Sequence, residues 1–192
     1  MDLYGRLEEL QGMTRLLIDD VNRIKPTIGE GNGNPSDEHF AQRRCYVRAV
    51  YALVEAFAEQ HRRLLIELAE NNYVTIPEDT LRRLREIRIF IQDGVEQERQ
   101  QYLQLYEKIK LVYKTAEICF GHAVNVTFGN QGCEDFQDGM ELRNRVTHPK
   151  IYPDLHIHEQ DLRTMNAASD WFRSLQNEFV NAARAHRQEH HW

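Results

Sequence analysis

Arg143, Asn144 and His148 stand within six residues, in the stretch Met140 to Lys150 that reads MELRNRVTHPK. Their types make a set: a permanent cation, a polar amide, and a proton carrier that titrates near neutrality. Such a set suits cleavage of an RNA phosphodiester. The ribose 2′-hydroxyl is an internal nucleophile, so the reaction needs its deprotonation, protonation of the leaving oxygen and stabilisation of phosphate charge, with no metal. His148 would be general acid or base, Arg143 the clamp on the transition-state phosphate, and Asn144 the group that orients the imidazole or a phosphate oxygen. The same residues also have a plainer use, because cations and histidines at a helix C-terminus satisfy free carbonyls and the helix dipole.

The element that must position them is a helix that stops on time. Asp138 to Val146 can be helical, but Pro149 disfavours the α conformation for His148, so the helix is expected to end near Thr147. In an unbroken helix Arg143 and His148 would lie about 140° apart around the axis. A terminated helix lets His148 fold back, so that its imidazole can approach Arg143 and Asn144.

Read as R-N-x-x-x-H, Arg143, Asn144 and His148 resemble the signature of the HEPN superfamily, an arginine, a following polar residue and a histidine four to six positions later. Cys45 to Phe57, CYVRAVYALVEAF, looks like the aromatic and alanine-rich helix of these domains, with Arg48 and Glu55 one heptad apart, and Ile157 to Leu162, IHEQDL, looks like the lead-in to their last helix. The similarity covers roughly residues 37–187. It implies an all-α, antiparallel up-and-down helical bundle that pairs into homodimers. In catalytic members the paired motifs form a metal-independent endoribonuclease centre acting on an RNA substrate, often in toxin–antitoxin or phage-defence systems, where a cognate antitoxin or defence partner is expected. No cofactor and no metal enters this expectation. The alternative is a non-catalytic helical module, in which the same residues bind an RNA, a nucleotide or a partner protein.

The rest of the chain sets bounds. Its 192 residues are expected to form a single helical domain: an N-terminal helix over 1–26, a flexible loop over 27–36, and a bundle of four to six helices over 37–192. Hydrophobic residues make up 41% and charged residues 28%, which excludes a disordered chain. Cys45, Cys119 and Cys133 are odd in number and lack metal spacing, pointing to a reducing, cytoplasmic setting. No signal peptide and no run of about 18 apolar residues is present, so no membrane partner is expected. A net charge of −6 argues against coating nucleic acid through bulk electrostatics. A local basic groove remains open, from Arg43, Arg44 and Arg48 or from Arg82, Arg83, Arg85 and Arg88.

Leu3, Leu7, Leu10, Thr14, Leu17, Val21 and Ile24 mark an amphipathic first helix ended by Pro26. TIGEGNGNPS, Thr27 to Ser36, is the loop, and it lacks the lysine and spacing of a nucleotide-binding loop. A second helix, capped by Ser36 or Asp37, runs to about Asn71. On it Arg48 and Glu55 share a face, as a polar pair. A third helical region is expected from Pro77 to about Phe120 as one long helix kinked at Asp93-Gly94, with Val95, Tyr102, Tyr106, Ile109, Tyr113, Ala116 and Phe120 along its stripe. Those tyrosines suit a core edge better than base stacking. Glu134 and Asp135 open the motif helix, and Glu159 to about Arg187 forms the last one. Asn125-Val126-Thr127 matches a glycosylation sequon only by pattern. His156 and His158 alternate on one side of an extended segment without completing a metal shell, and His186, His190 and His191 read as a frayed end.

Overall fold

The computed structural model describes residues 3–25, 37–93, 95–121 and 128–190. The expected loop over 27–36, the sequon and His191 lie outside them. Among the described residues the protein is mostly helical, about 76% helix, with six helices and one small two-stranded sheet. In order these are α1 (Leu3–Ile24), α2 (Asp37–Glu70), α3 (Glu78–Leu84), β1 (Ile87–Gln92), β2 (Val95–Gln100), α4 (Leu105–Phe120), α5 (Gln131–Thr147) and α6 (Glu159–His190), with a 3-10 turn at Tyr152–Leu155. No helix among the described residues is long and apolar enough to cross a membrane.

Compactness divides the chain into two units, Met1–Phe57 with Thr127–Ser174, and Ala58–Val126 with Leu175–Trp192. The divisions fall within α2 and α6. In the first unit the apolar positions of α2, α5 and α6 form an aromatic core. Phe136 of α5 lies 5.6 Å from Tyr51, 5.1 Å from Trp171 and 6.1 Å from Phe172 between ring centroids. Gly132 and Gly139 allow this approach. A Cβ on Gly132 would meet Trp171 at 2.6 Å, and one on Gly139 would meet the Tyr51 hydroxyl at 2.6 Å. On α1 the expected seam is buried at Val21 and half-buried at Leu17 and Ile24. Leu16 is 67% exposed.

The second unit holds the main correction to the sequence reading. The region expected as one long kinked helix from Pro77 to Phe120 is a short helix, an antiparallel hairpin and a separate α4. Asp93 follows β1 in a turn where a helix kink was expected, and the register pairs Ile87 with Gln100, Ile89 with Glu98 and Ile91 with Glu96. Asp-Gly between alternating apolar residues is a hairpin signal in its own right. Here it outweighs the helix-forming composition of VEQERQ. Accordingly Val95 and Tyr102 are 62% and 79% exposed instead of lining a helical stripe. Helix α4 buries Ile109, Val112, Tyr113, Ala116 and Phe120, and Gly121 closes it at φ 60°, a left-handed cap that glycine adopts without strain.

Around this second core the polar groups form two clusters. The Glu59 carboxylate pairs with Arg62 at 2.7 Å, Arg63 at 2.8 Å and Lys108 at 3.3 Å, and Lys108 also reaches buried Glu86 at 3.0 Å. Burial pushes the Glu59 carboxyl up, but hydrogen bonds from Arg62 and Arg63 and the neighbouring Arg62 and Lys108 charges outweigh it, lowering the pKa to about 2. In the other cluster the His61 ring stacks on Phe179 at 3.9 Å and shares a 3.1 Å hydrogen bond with the Tyr113 hydroxyl. Burial lowers the His61 pKa to about 3, so the imidazole is neutral. His186, expected at a frayed end, is buried instead, 5.4 Å from Phe120, because α6 continues to His190. Cys45, Cys119 and Cys133 are not in disulfides, and burial raises the pKa of Cys119 to about 11.

Candidate active site

Helix α5 begins earlier than Glu134. Asn130 caps it, its side chain accepting a hydrogen bond from the Cys133 amide at 3.0 Å. The helix ends at Thr147, where Pro149 requires it to, and His148 is the capping residue at φ −127° and ψ 61°. Three contacts close this end. The His148 amide donates to the Asn144 carbonyl at 2.9 Å, the Thr147 hydroxyl donates to the Arg143 carbonyl at 2.7 Å, and Arg48 of α2 donates to the Val146 carbonyl at 2.6 Å. Free carbonyls at a helix C-terminus carry partial negative charge, so a guanidinium is a suited cap.

The motif side chains divide into a joined pair and a separate member. Arg143 donates to the Asn144 side-chain oxygen at 3.1 Å and to the Glu55 carboxylate at 2.6 Å. Because arginine only donates, the atom of Asn144 facing it must be the oxygen, which leaves the amide nitrogen to donate elsewhere. Two of the five N–H groups of Arg143 are engaged in these contacts. The side chains of Arg143 and Glu55 are 34% and 45% exposed, so this ion pair lies where solvent and a ligand can compete for it. His148 is exposed, and no side-chain hydrogen bond or ion pair with a described residue fixes its imidazole. The fold-back expected to bring it onto Arg143 and Asn144 is absent as a contact; the chain turns at His148, but the ring points to neither partner within hydrogen-bond distance.

Glu55 is the residue that sequence reasoning missed. Its spacing to Arg48 was legible, but the two do not pair with each other: both address α5, one at Val146 and one at Arg143. Between them on the same face, buried Tyr51 donates to the Phe136 carbonyl at 2.8 Å, and burial raises its pKa. A single face of α2 thus fixes the motif helix at three points.

The segment after the motif is fastened in the same way. Arg43 donates to the Ile157 carbonyl at 2.8 Å and Arg44 to the Leu155 carbonyl at 2.9 Å. Arg145 pairs with Asp161 at 3.1 Å, and the same carboxylate accepts the His158 amide at 2.8 Å, capping α6. Asp154 accepts the amides of Lys150 and Ile151, which lowers its pKa. The first candidate basic groove is therefore an internal device: Arg43, Arg44 and Arg48 all serve backbone carbonyls. His156 stacks on Phe40 at 4.7 Å with Tyr152 edge-on at 4.9 Å. Among the described residues no group of three or more histidines, cysteines or carboxylates could hold a metal ion.

No protein-family model matches this chain, and neither a curated protein nor a solved structure matches it significantly.

Proposed function

We propose that the protein is a metal-independent endoribonuclease of the HEPN type, acting as a homodimer with the two motifs facing each other, in a toxin–antitoxin or phage-defence setting. The observation that supports it best is the Arg143 guanidinium, oriented by Glu55 and Asn144 on the last turn of a helix whose capping residue is an exposed histidine. In this reading a substrate phosphate displaces or joins the Glu55 carboxylate on Arg143, and the Asn144 amide nitrogen donates to a phosphate oxygen. His148 serves proton transfer. The 2′-oxygen loses its proton to a general base and bonds to phosphorus, the bond to the 5′-oxygen breaks, and that oxygen takes a proton from a general acid. The products are a 2′,3′-cyclic phosphate and a 5′-hydroxyl. A second copy of the chain would supply the second histidine, so that one acts as base and the other as acid.

The test is digestion of cellular RNA by the purified protein in excess chelator, with the new ends analysed. Cleavage leaving cyclic phosphates is expected, falling about 10²- to 10⁴-fold in His148→Ala and about 10²- to 10³-fold in Arg143→Ala. Cleavage that survives in His148→Ala would refute the assignment. One observation favours the second reading, a binding module without catalysis: the imidazole is not oriented by any described residue, and Arg143 is neutralised by Glu55. In that case the folded wild type binds RNA or a partner without cutting.

A further inference from the structure

The hairpin sorts its side chains by charge. Arg88, Phe90 and Gln92 of β1 and Val95, Gln97 and Arg99 of β2 project from one face, because Arg88 pairs with Arg99, Phe90 with Gln97 and Gln92 with Val95. That face carries two arginines and no acid. The carboxylates of the strands, Glu96 and Glu98, lie on the other face, opposite Ile91 and Ile89, and Asp93 stands in the turn. Like charges directly across a strand pair repel, so Arg88 opposite Arg99 is unfavourable in the free protein. Neither arginine has a carboxylate partner among the described residues, in contrast to Arg82 with Glu78 at 3.0 Å and Arg85 with Glu70 at 2.9 Å. Arg99 instead lies over the Phe90 ring, its guanidinium carbon 4.7 Å from the centroid. Five of the six residues are exposed and Phe90 is half-buried. Beside β1 a cleft of about 430 Å³ opens toward α3, lined by residues of both charges, among them Arg83, Arg88, Asp79 and Glu86.

We infer that this hairpin face binds single-stranded RNA, with Arg88 and Arg99 on successive phosphates and Phe90, flanked by the Arg99 plane, as the stacking platform for a base. An anion between the two arginines relieves their repulsion. A guanidinium on an aromatic ring matches the stacked π-faces and repeating charges of an unpaired strand, and Gln92 and Gln97 add amide donors and acceptors for base edges. Charge complementarity here is local, since the chain as a whole carries a net charge of −6. The inference rests on RNA being the substrate, as proposed above, but its test does not need cleavage.

The experiment is fluorescence anisotropy of the full chain with a short fluorescein-labelled 2′-O-methyl RNA, which has no free 2′-hydroxyl to attack, across a range of salt concentrations. Arg88→Ala/Arg99→Ala is expected to weaken binding about tenfold or more and to flatten the slope of log affinity against log salt by about 1.4, two phosphate contacts on a single strand. Phe90→Ala weakens it about tenfold with the slope unchanged. Arg88→Lys/Arg99→Lys keeps the slope and recovers part of the affinity. Circular dichroism of each variant checks the fold. Wild-type affinity in the double alanine variant, or no binding by the wild type, overturns the proposal. So does a loss that is equal for heparin and insensitive to Phe90→Ala, which would mark a general polyanion surface. Normal RNA binding by the hairpin variants, with cleavage intact, overturns this inference and leaves the nuclease reading standing. Loss of cleavage in His148→Ala with hairpin binding unchanged supports both.

Discussion

Helix α2 makes two junctions of opposite chemistry. Toward α5 it uses Arg48 and Tyr51, each donating to a backbone carbonyl, at Val146 and Phe136. Toward α4 it uses Glu59 on Lys108 and neutral His61 on Tyr113. The first junction rests on a guanidinium and on a phenol whose pKa burial raises. Both groups of the second change charge in acid. Besides the Glu55–Arg143 ion pair, the motif helix is held by donors on backbone carbonyls, whereas the second unit is held by contacts that acid dissolves.

The largest expected effect comes from lowering the pH. His61 has a folded pKa below its unfolded value, so its contribution is complete above about 6.5 and is lost as pH falls toward about 3. The shift corresponds to at most about 5 kcal/mol. Glu59, also depressed, loses its contribution below about 4.5, as pH falls toward about 2. Hydrogen-exchange mass spectrometry between pH 6.5 and 4 should show amides of α4 losing protection before those of α5, and His61→Phe should flatten that acid slope. Simultaneous loss in both helices would break the contrast between the junctions.

Next in size is Arg48→Ala. It leaves the Val146 carbonyl without its charged partner and should cost about 2 kcal/mol, lowering Tm by roughly 4–8 °C. The loss should be the same at pH 8 and pH 5, read by thermal denaturation. A smaller effect is expected from Gly139→Ala, whose methyl collides with the Tyr51 hydroxyl. About 1 kcal/mol or a little more should be lost, and the Tyr51 hydrogen bond to Phe136 with it. An RNA cleavage assay on that variant asks whether α5 can shift without misplacing Arg143. The smallest is Arg88→Ala/Arg99→Ala on the exposed hairpin, where stability should stay within about 0.5 kcal/mol of wild type by urea denaturation. An unfolded double variant would mean that the hairpin arginines are structural after all, like those of α2.

The difference between these two sets of arginines explains what the sequence could and could not convey. Arg43, Arg44 and Arg48 look the same in a string of letters as Arg82, Arg83, Arg85 and Arg88, and both read as candidate grooves. Only folding reveals that carbonyls at the end of α5 and before α6 claim the first three. The helices with long apolar periodicity, α2 and α6, were legible to within a few residues, and Pro149 fixed the end of α5 because its constraint is local. The hairpin is masked in the sequence, since Glu, Gln and Arg are helix formers and an Asp-Gly pair suits a helix break as well as a turn. At the site, Arg143 and Asn144 were legible as neighbours, but the partner that orients Arg143 is 88 positions away, and no local pattern reports it.

That separation bears on timing during synthesis. Glu55 and Arg48 leave the ribosome 88 and 98 residues before the groups they hold. At about 5–20 residues per second, Glu55 waits roughly 4–18 s for Arg143. Until then no ordered guanidinium and no capped helix end exist, so a nascent chain carries half of each contact and none of the site. A nuclease assembled this way would be harmless to the messenger and ribosome producing it until translation of the motif helix is complete.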